Sequence, residues 1–174
     1  MNNKIKVIIS WGLVILWMGF IFNFSNMDTN ESNTKSKDTI EKVVDTTIDT
    51  SSKIGITKDD VSDDKIEGIV SILNKPLRKC MHAAEYLVLS LLLIIALNVS
   101  KKKIFYKYLI AIIICFIYAC TDEYHQLFIS GRTGQFTDVL IDTFGAIVGI
   151  IIYNIMNNLI KKYKLIYNKN NSGK

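Results

Sequence analysis

Residues 86–121 read YLVLSLLLIIALNVS-KKK-IFYKYLIAIIICFIYACT, two apolar runs (86–100 and 104–121) held apart by Lys101, Lys102 and Lys103. The apolar residues neither alternate nor recur every three to four positions. They are nearly continuous, and continuity over such a length is what a hydrocarbon core of ~30 Å demands of a spanning helix. The one charge within these runs, Lys107, lies near enough to the start of the second to snorkel back toward the lysine triplet.

Working outward, two further runs repeat the pattern. Residues 7–24 carry no charge and follow Lys4 and Lys6, and residues 139–160 contain one carboxylate, Asp142. The only proline, Pro76, lies outside all four runs. The fold class expected is therefore all-α, an integral membrane four-helix bundle. The chain divides into a first transmembrane helix (1–24), an outer segment (25–81), a transmembrane core of helices two to four (82–160) and a basic tail (161–174). A cleavable leader is not expected at the N-terminus, since the first run exceeds the usual ~7–15 residue apolar region and Asn23-Phe24-Ser25-Asn26-Met27 offers no small-x-small site.

Charge placement orients the bundle. Lys4, Lys6, Lys101, Lys102, Lys103, Lys107, Lys161, Lys162, Lys164, Lys169 and Lys174 fall in segments that alternate to one side, with no acid among them. The other 10 basic residues share the opposite side with all 16 acids, so the positive-inside rule puts both termini in the cytoplasm and makes residues 25–81 extracellular. This asymmetry accounts for a net charge of +5 and a pI near 9.0 without nucleic acid, because the lysines are spaced as flanks of spans rather than along a groove-binding element. Cys80, Cys115 and Cys120 form neither a C-x-x-C pair nor an even framework, which excludes a disulfide scaffold.

In the outer segment, Ile40, Val43, Val44, Thr47 and Ile48, and again Ile66, Ile69, Val70 and Leu73, recur at helical spacing. Two short amphipathic helices covering the bundle are expected there. Gly131-Arg132-Thr133-Gly134 reads as a tight turn between helices three and four. No strand precedes it and no Walker pattern is present, so it is not a phosphate loop.

Ionisable groups from three chain segments arrive at one membrane depth. Arg78, His82 and Glu85 follow i, i+4, i+7 spacing and share a helix face. Asp122, His125 and Gln126 share another if helix three continues past Thr121, with Glu123 about 100° away. Asp138, Asp142, Gly145 and Gly149 form a stripe whose glycines admit a neighbouring helix. Glu85 and Asp142 must face the bundle interior, because an unpaired charge in hydrocarbon costs several kcal/mol. Arg78, Lys79 and Arg132 are their expected partners.

Four readings of this constellation stand side by side. It could be an ionic clasp between helices. It could bind an anionic headgroup through Arg78, Lys79 and Arg132. It could carry out acid–base chemistry with His82, Glu85, Asp122 and Glu123 as the candidate catalytic groups. It could hold a metal through His82, Glu85, Asp122 and His125, although His-x-x-Glu is not the H-E-x-x-H signature. No cofactor or resident metal is expected from these motifs, and whether any reaction occurs stays open.

The assembled residues resemble the VanZ family. Its R-K-x-x-H-x-x-E-Y segment reads here Arg78-Lys79-Cys80-Met81-His82-Ala83-Ala84-Glu85-Tyr86. A second block, Y-A-x-x-D-E-x-x-Q-x-F-x-x-G-R, reads Tyr118-Ala119-Cys120-Thr121-Asp122-Glu123-Tyr124-His125-Gln126-Leu127-Phe128-Ile129-Ser130-Gly131-Arg132. Asp138, Asp142, Gly145 and Gly149 follow in the family's order. Phe22-Asn23-Phe24-Ser25 echoes the end of helix one, although the S-S-Q that often follows is Ser25-Asn26-Met27 here. The resemblance is strong over residues 78–149.

The resemblance implies a bacterial cell-membrane protein whose family's founding member is associated with low-level resistance to the lipoglycopeptide teicoplanin. The partners it implies are membrane lipids, a lipid-linked cell-wall precursor or a lipoglycopeptide, with no nucleic acid. An enzyme acting on a lipid-linked substrate and a small transporter remain as alternatives, the latter weakened by the lack of a visible internal repeat.

Overall fold

The computed structural model describes residues 2–26, 34, 37–40, 42–43, 46–47, 63–100, 104–129, 132 and 134–171. Within these residues lie four long helices, α1 (Asn3–Ser25), α2 (Asp63–Val99), α3 (Ile104–Gln126) and α4 (Phe136–Asn171). Each contains a stretch long and apolar enough to cross a membrane, namely Asn3–Ser25, Ile72–Val99, Tyr106–Gln126 and Phe136–Lys169.

The distribution of apolar surface argues for lipid around this bundle. Small side chains and branched aliphatics fill its axis, with Val14, Ile21, Leu89, Leu93, Ile94, Ala111, Cys115, Ala119 and Ala146 all buried. The circumference is apolar as well: Ile8 is 70% exposed and Leu16 69%. Soluble domains seldom expose so continuous an apolar belt, whereas hydrocarbon makes it costless.

α2 and α4 run parallel and form the closest seam. A Cβ placed on Gly145 would lie 2.1 Å from the Ala83 carbonyl oxygen, and one on Gly149 would lie 2.5 Å from that of Leu87 and 2.2 Å from Ser90 Oγ. These two glycines let the backbones touch where any side chain would hold them apart.

Three features differ from expectation. The apolar stretch at Ile66–Leu73 is no separate helix. It forms the first turns of α2, which runs unbroken through Pro76. The proline ring removes only the rung to the Ile72 carbonyl, and the i, i+3, i+4 stripe continues on both sides of it. α4 likewise extends through the basic tail to Asn171. Lys107 does not snorkel: it is 8% exposed and points inward, its Nζ donating to Asn98 Oδ1 on α2. An amide acceptor inside the bundle offers the ammonium a hydrogen bond, which the lysine triplet could not.

Of the earlier amphipathic stretch, the described positions 37–40, 42–43 and 46–47 are helical. There Ile40 is buried and Val43 is exposed, while Val44 and Ile48 lie outside the described residues. The lysine triplet, Gly131 and Thr133 also lie outside them.

Candidate functional site

The charged residues collect where α1 and α3 finish and where α4 begins, at the end of the bundle that also receives the middle of α2. α1 contributes Ser25, which is fully buried and accepts from Gln126 Nε2 at 3.1 Å. Gln126 also donates to Asp122 Oδ2 at 3.3 Å, one helical turn earlier on α3, so these two residues share the inward face. Glu123 is turned toward the α3–α4 connection, where its Oε2 accepts from the Gln135 backbone N–H at 2.8 Å. A Cβ on Gly134 would come within 2.6 Å of the Glu123 carbonyl oxygen, so only glycine lets the connection lie this close to α3.

α2 supplies His82, Glu85 and Tyr86. His82 Nδ1 stands 3.6 Å from Glu85 Oε2, beyond hydrogen-bond length, and neither atom has a partner among the described residues. The α2 backbone is fixed at this level by Trp17 of α1, whose indole N–H donates to the Glu85 carbonyl at 3.0 Å. Tyr118 of α3 is fixed by donating to the Met18 carbonyl of α1. Its ring lies 6.1 Å from that of the fully buried Tyr86. On the rim, Lys79 pairs with Asp138 in the first turn of α4. His125 packs its ring 4.5 Å from that of Phe22.

Arg132 is the electrostatic centre. Burial pushes its guanidinium below the ordinary arginine value and nearby Arg78 adds to this, while Asp122, Glu123 and Glu85 oppose both. The guanidinium lies in the field of these three carboxylates, and its Nε lacks a hydrogen-bond partner among the described residues. Asp142 departs from expectation more sharply. It is 1% exposed, as an intramembrane acid facing the interior must be, yet among the described residues no cation bonds to it and both carboxylate oxygens are orphaned. Arg78, Lys79 and Arg132 were its expected partners. Lys79 is taken by Asp138, and among the described residues no ion pair links Asp142 to Arg78 or Arg132.

Together, His82 Nδ1, Glu85 Oε2, Tyr86 Oη, Asp122 Oδ1, His125 Nδ1, Arg132 Nε and both oxygens of Asp142 are buried without hydrogen-bond partners among the described residues. Buried polar atoms are normally satisfied, so this concentration of orphaned ones sets the charged end apart from the rest of the bundle. No group of three or more His, Cys, Asp or Glu side chains among the described residues is arranged to hold a metal ion.

Beside this polar interior is a shallow cavity of about 200 Å³, lined mainly by apolar surface from Cys120, Tyr124, Leu127, Phe136 and Val139, with Glu123 and Gln135 at its polar edge. Tyr124, Leu127, Phe128 and Phe136 are largely exposed around it. Glu123 belongs to both the charged cluster and the cavity.

Sequence reasoning assembled the charges but passed over Ser25, Trp17, Tyr86 and Tyr118 as site residues. Tyr86 and Tyr118 each stood inside a quoted motif, which was the available signal. Ser25 stood in the fainter echo at the end of helix one, and Trp17 acts through a backbone contact that no spacing announces.

A family model described as VanZ/LLP1 matches residues 10–157, extending the likeness from the charged motifs to α1 and most of α4. No curated protein matches the chain, and no solved structure does.

Proposed function

Because this chain belongs to the VanZ/LLP1 family of membrane proteins, we propose that it binds a lipid-linked or lipid-tailed envelope ligand at the charged end of its bundle, which faces the cell exterior. The carrying observation is the juxtaposition at Glu123. On one side lies a buried cluster of unsatisfied donors and acceptors around Arg132, and on the other an apolar cavity open to the bundle surface. An amphiphile matches both halves: its polar head would satisfy the orphaned atoms and its chain would lie along Tyr124, Leu127 and Phe136.

The orientation rests on the lysine distribution, which keeps both termini in the cytoplasm and residues 25–81 outside. In a bacterial envelope, such a protein would act on a lipid-linked cell-wall precursor or intercept a lipoglycopeptide, giving low-level teicoplanin resistance.

The test is drug susceptibility of strains with the gene deleted or overexpressed, comparing teicoplanin with a glycopeptide that lacks an acyl tail. Overexpression is expected to protect against the tailed drug alone, and Arg132→Ala to abolish protection while the protein still accumulates. Equal responses to both drugs, or none, would overturn the reading.

A second reading is favoured by one observation. His82 and Glu85 are part-buried neighbours whose facing atoms, Nδ1 and Oε2, have no hydrogen-bond partner among the described residues, as an acid–base pair awaiting substrate would be. In that case Glu85→Gln would abolish turnover of a lipid-linked substrate without reducing its binding.

A further inference from the structure

At the opposite end of the bundle lies a second polar layer that none of the motifs includes. Lys107 of α3 donates to Asn98 Oδ1 of α2 at 2.5 Å, and Asn98 Nδ2 donates to the Tyr153 hydroxyl of α4 at 2.6 Å. Tyr108 of α3 donates to Asn154 Oδ1 of α4 at 2.5 Å. Trp11 of α1 completes the layer by donating to Ser100 Oγ at 3.2 Å.

The layer differs from an ordinary interhelical network in its charge. Lys107 is 8% exposed, yet its one hydrogen-bond partner among the described residues is a neutral amide. No carboxylate can neutralise it from nearby in the chain, because residues 86–121 and 143–174 contain no acid at all. The surrounding charges are more lysines, Lys101–Lys103 before it and Lys161, Lys162 and Lys164 on the last turns of α4. An ammonium has three donors and Lys107 uses one. The proton of the Tyr153 hydroxyl has no acceptor among the described residues. A buried cation with spare donors and neutral partners is costly unless an anion comes from outside the chain.

We infer that Lys107, with Asn98 and Tyr153 between α2, α3 and α4, holds the phosphate of an anionic phospholipid. The phosphate supplies the acceptors that Lys107 and Tyr153 lack. Asn98, Tyr108 and Tyr153 are only half-buried, so the layer opens sideways, and exposed Leu109, Ile152 and Met156 flank it with surface suited to acyl chains. The exposed lysines enrich anionic lipid at this face. The inference is independent of what the charged end binds.

The experiment uses the purified full-length protein in mixed micelles containing phosphatidylglycerol or phosphatidylcholine, with retained lipid counted by mass spectrometry after washing. Wild type is expected to retain phosphatidylglycerol about tenfold over phosphatidylcholine, the scale of one charge-assisted contact. That preference should persist at about 1 M salt, where the screening length is ~3 Å and exposed lysines no longer contribute. Lys107→Met should erase the preference and the exposed Lys162→Met should leave it. Loss of preference in salt for wild type, or its survival in Lys107→Met, would overturn the inference. Inorganic phosphate competing as well as the lipid would overturn the lipid assignment. Should Lys107→Met fail to accumulate, the wild-type salt series decides the question.

Discussion

The two ends of this bundle are both polar inside hydrocarbon, but they are polar in opposite ways. At the basic end, Asn98, Tyr108, Tyr153 and Asn154 share their hydrogen bonds across three helices, and the unanswered charge is a single lysine. At the charged end, carboxylates outnumber the cations that reach them, and eight buried atoms have no partner among the described residues. A satisfied network contributes stability and specificity of packing, whereas an unsatisfied one is held in place by the rest of the fold. The shared hydrogen bonds of the basic end tie three helices together, whereas the orphaned atoms gather at the charged end.

That division can be broken in three ways. The largest effect should come from Gly145→Ala at the seam that joins both ends. The added Cβ meets the Ala83 carbonyl oxygen at 2.1 Å, so α2 and α4 must part, at a cost of roughly 3 kcal/mol or more. Accumulation in membranes and the unfolding midpoint in detergent should both fall sharply; a variant as stable as wild type would mean the seam is loose and the two ends are not rigidly coupled.

Next comes a pair of substitutions with opposite signs. Asn98→Leu strands Lys107 and the Tyr153 hydroxyl and should destabilise by about 1–3 kcal/mol. Asp142→Asn takes away the ability of an orphaned buried carboxyl to ionise without changing side-chain size and should leave stability unchanged or raise it by up to about 1–3 kcal/mol. Reversible unfolding in detergent gives both numbers. If Asp142→Asn is instead the more damaging change, the charged end is an ionic clasp. The smallest effect belongs to Lys79→Gln. The Lys79–Asp138 pair is about a third and a quarter exposed on its two sides, so solvent screening should hold the loss below ~1 kcal/mol. A larger loss, read from the same unfolding curves, would move this pair from the rim into the site.

Much of this was legible in the residues. The four spans follow from uninterrupted apolar runs, and the charges at the site from helical spacing plus the intolerance of hydrocarbon for lone ions. What escaped had a physical cause in each case. The first half of α2 was hidden because Asp63 to Arg78 is polar enough to resemble a surface segment and Pro76 looked like a boundary. Here the helix continues through the proline at the loss of one backbone hydrogen bond. The inward turn of Lys107 was hidden because snorkelling is the default for a lysine near a span's end, and only the position of Asn98 on a neighbouring helix overrides it. That Asp142 has no counter-ion among the described residues was hidden because sequence gives the depth of a charge but not how many neighbours compete for each cation.

α2 being a single rod from Asp63 to Val99 carries a geometric consequence for residues that precede the site. A helix fixes azimuth as well as height, each residue adding about 100° of rotation and 1.5 Å of rise. The azimuth of the helical turns before Ile72 is therefore locked to the direction in which His82 and Glu85 face. Adding or deleting one residue between them would swing that overhang about a quarter-turn round the mouth of the bundle while leaving every contact below it in register.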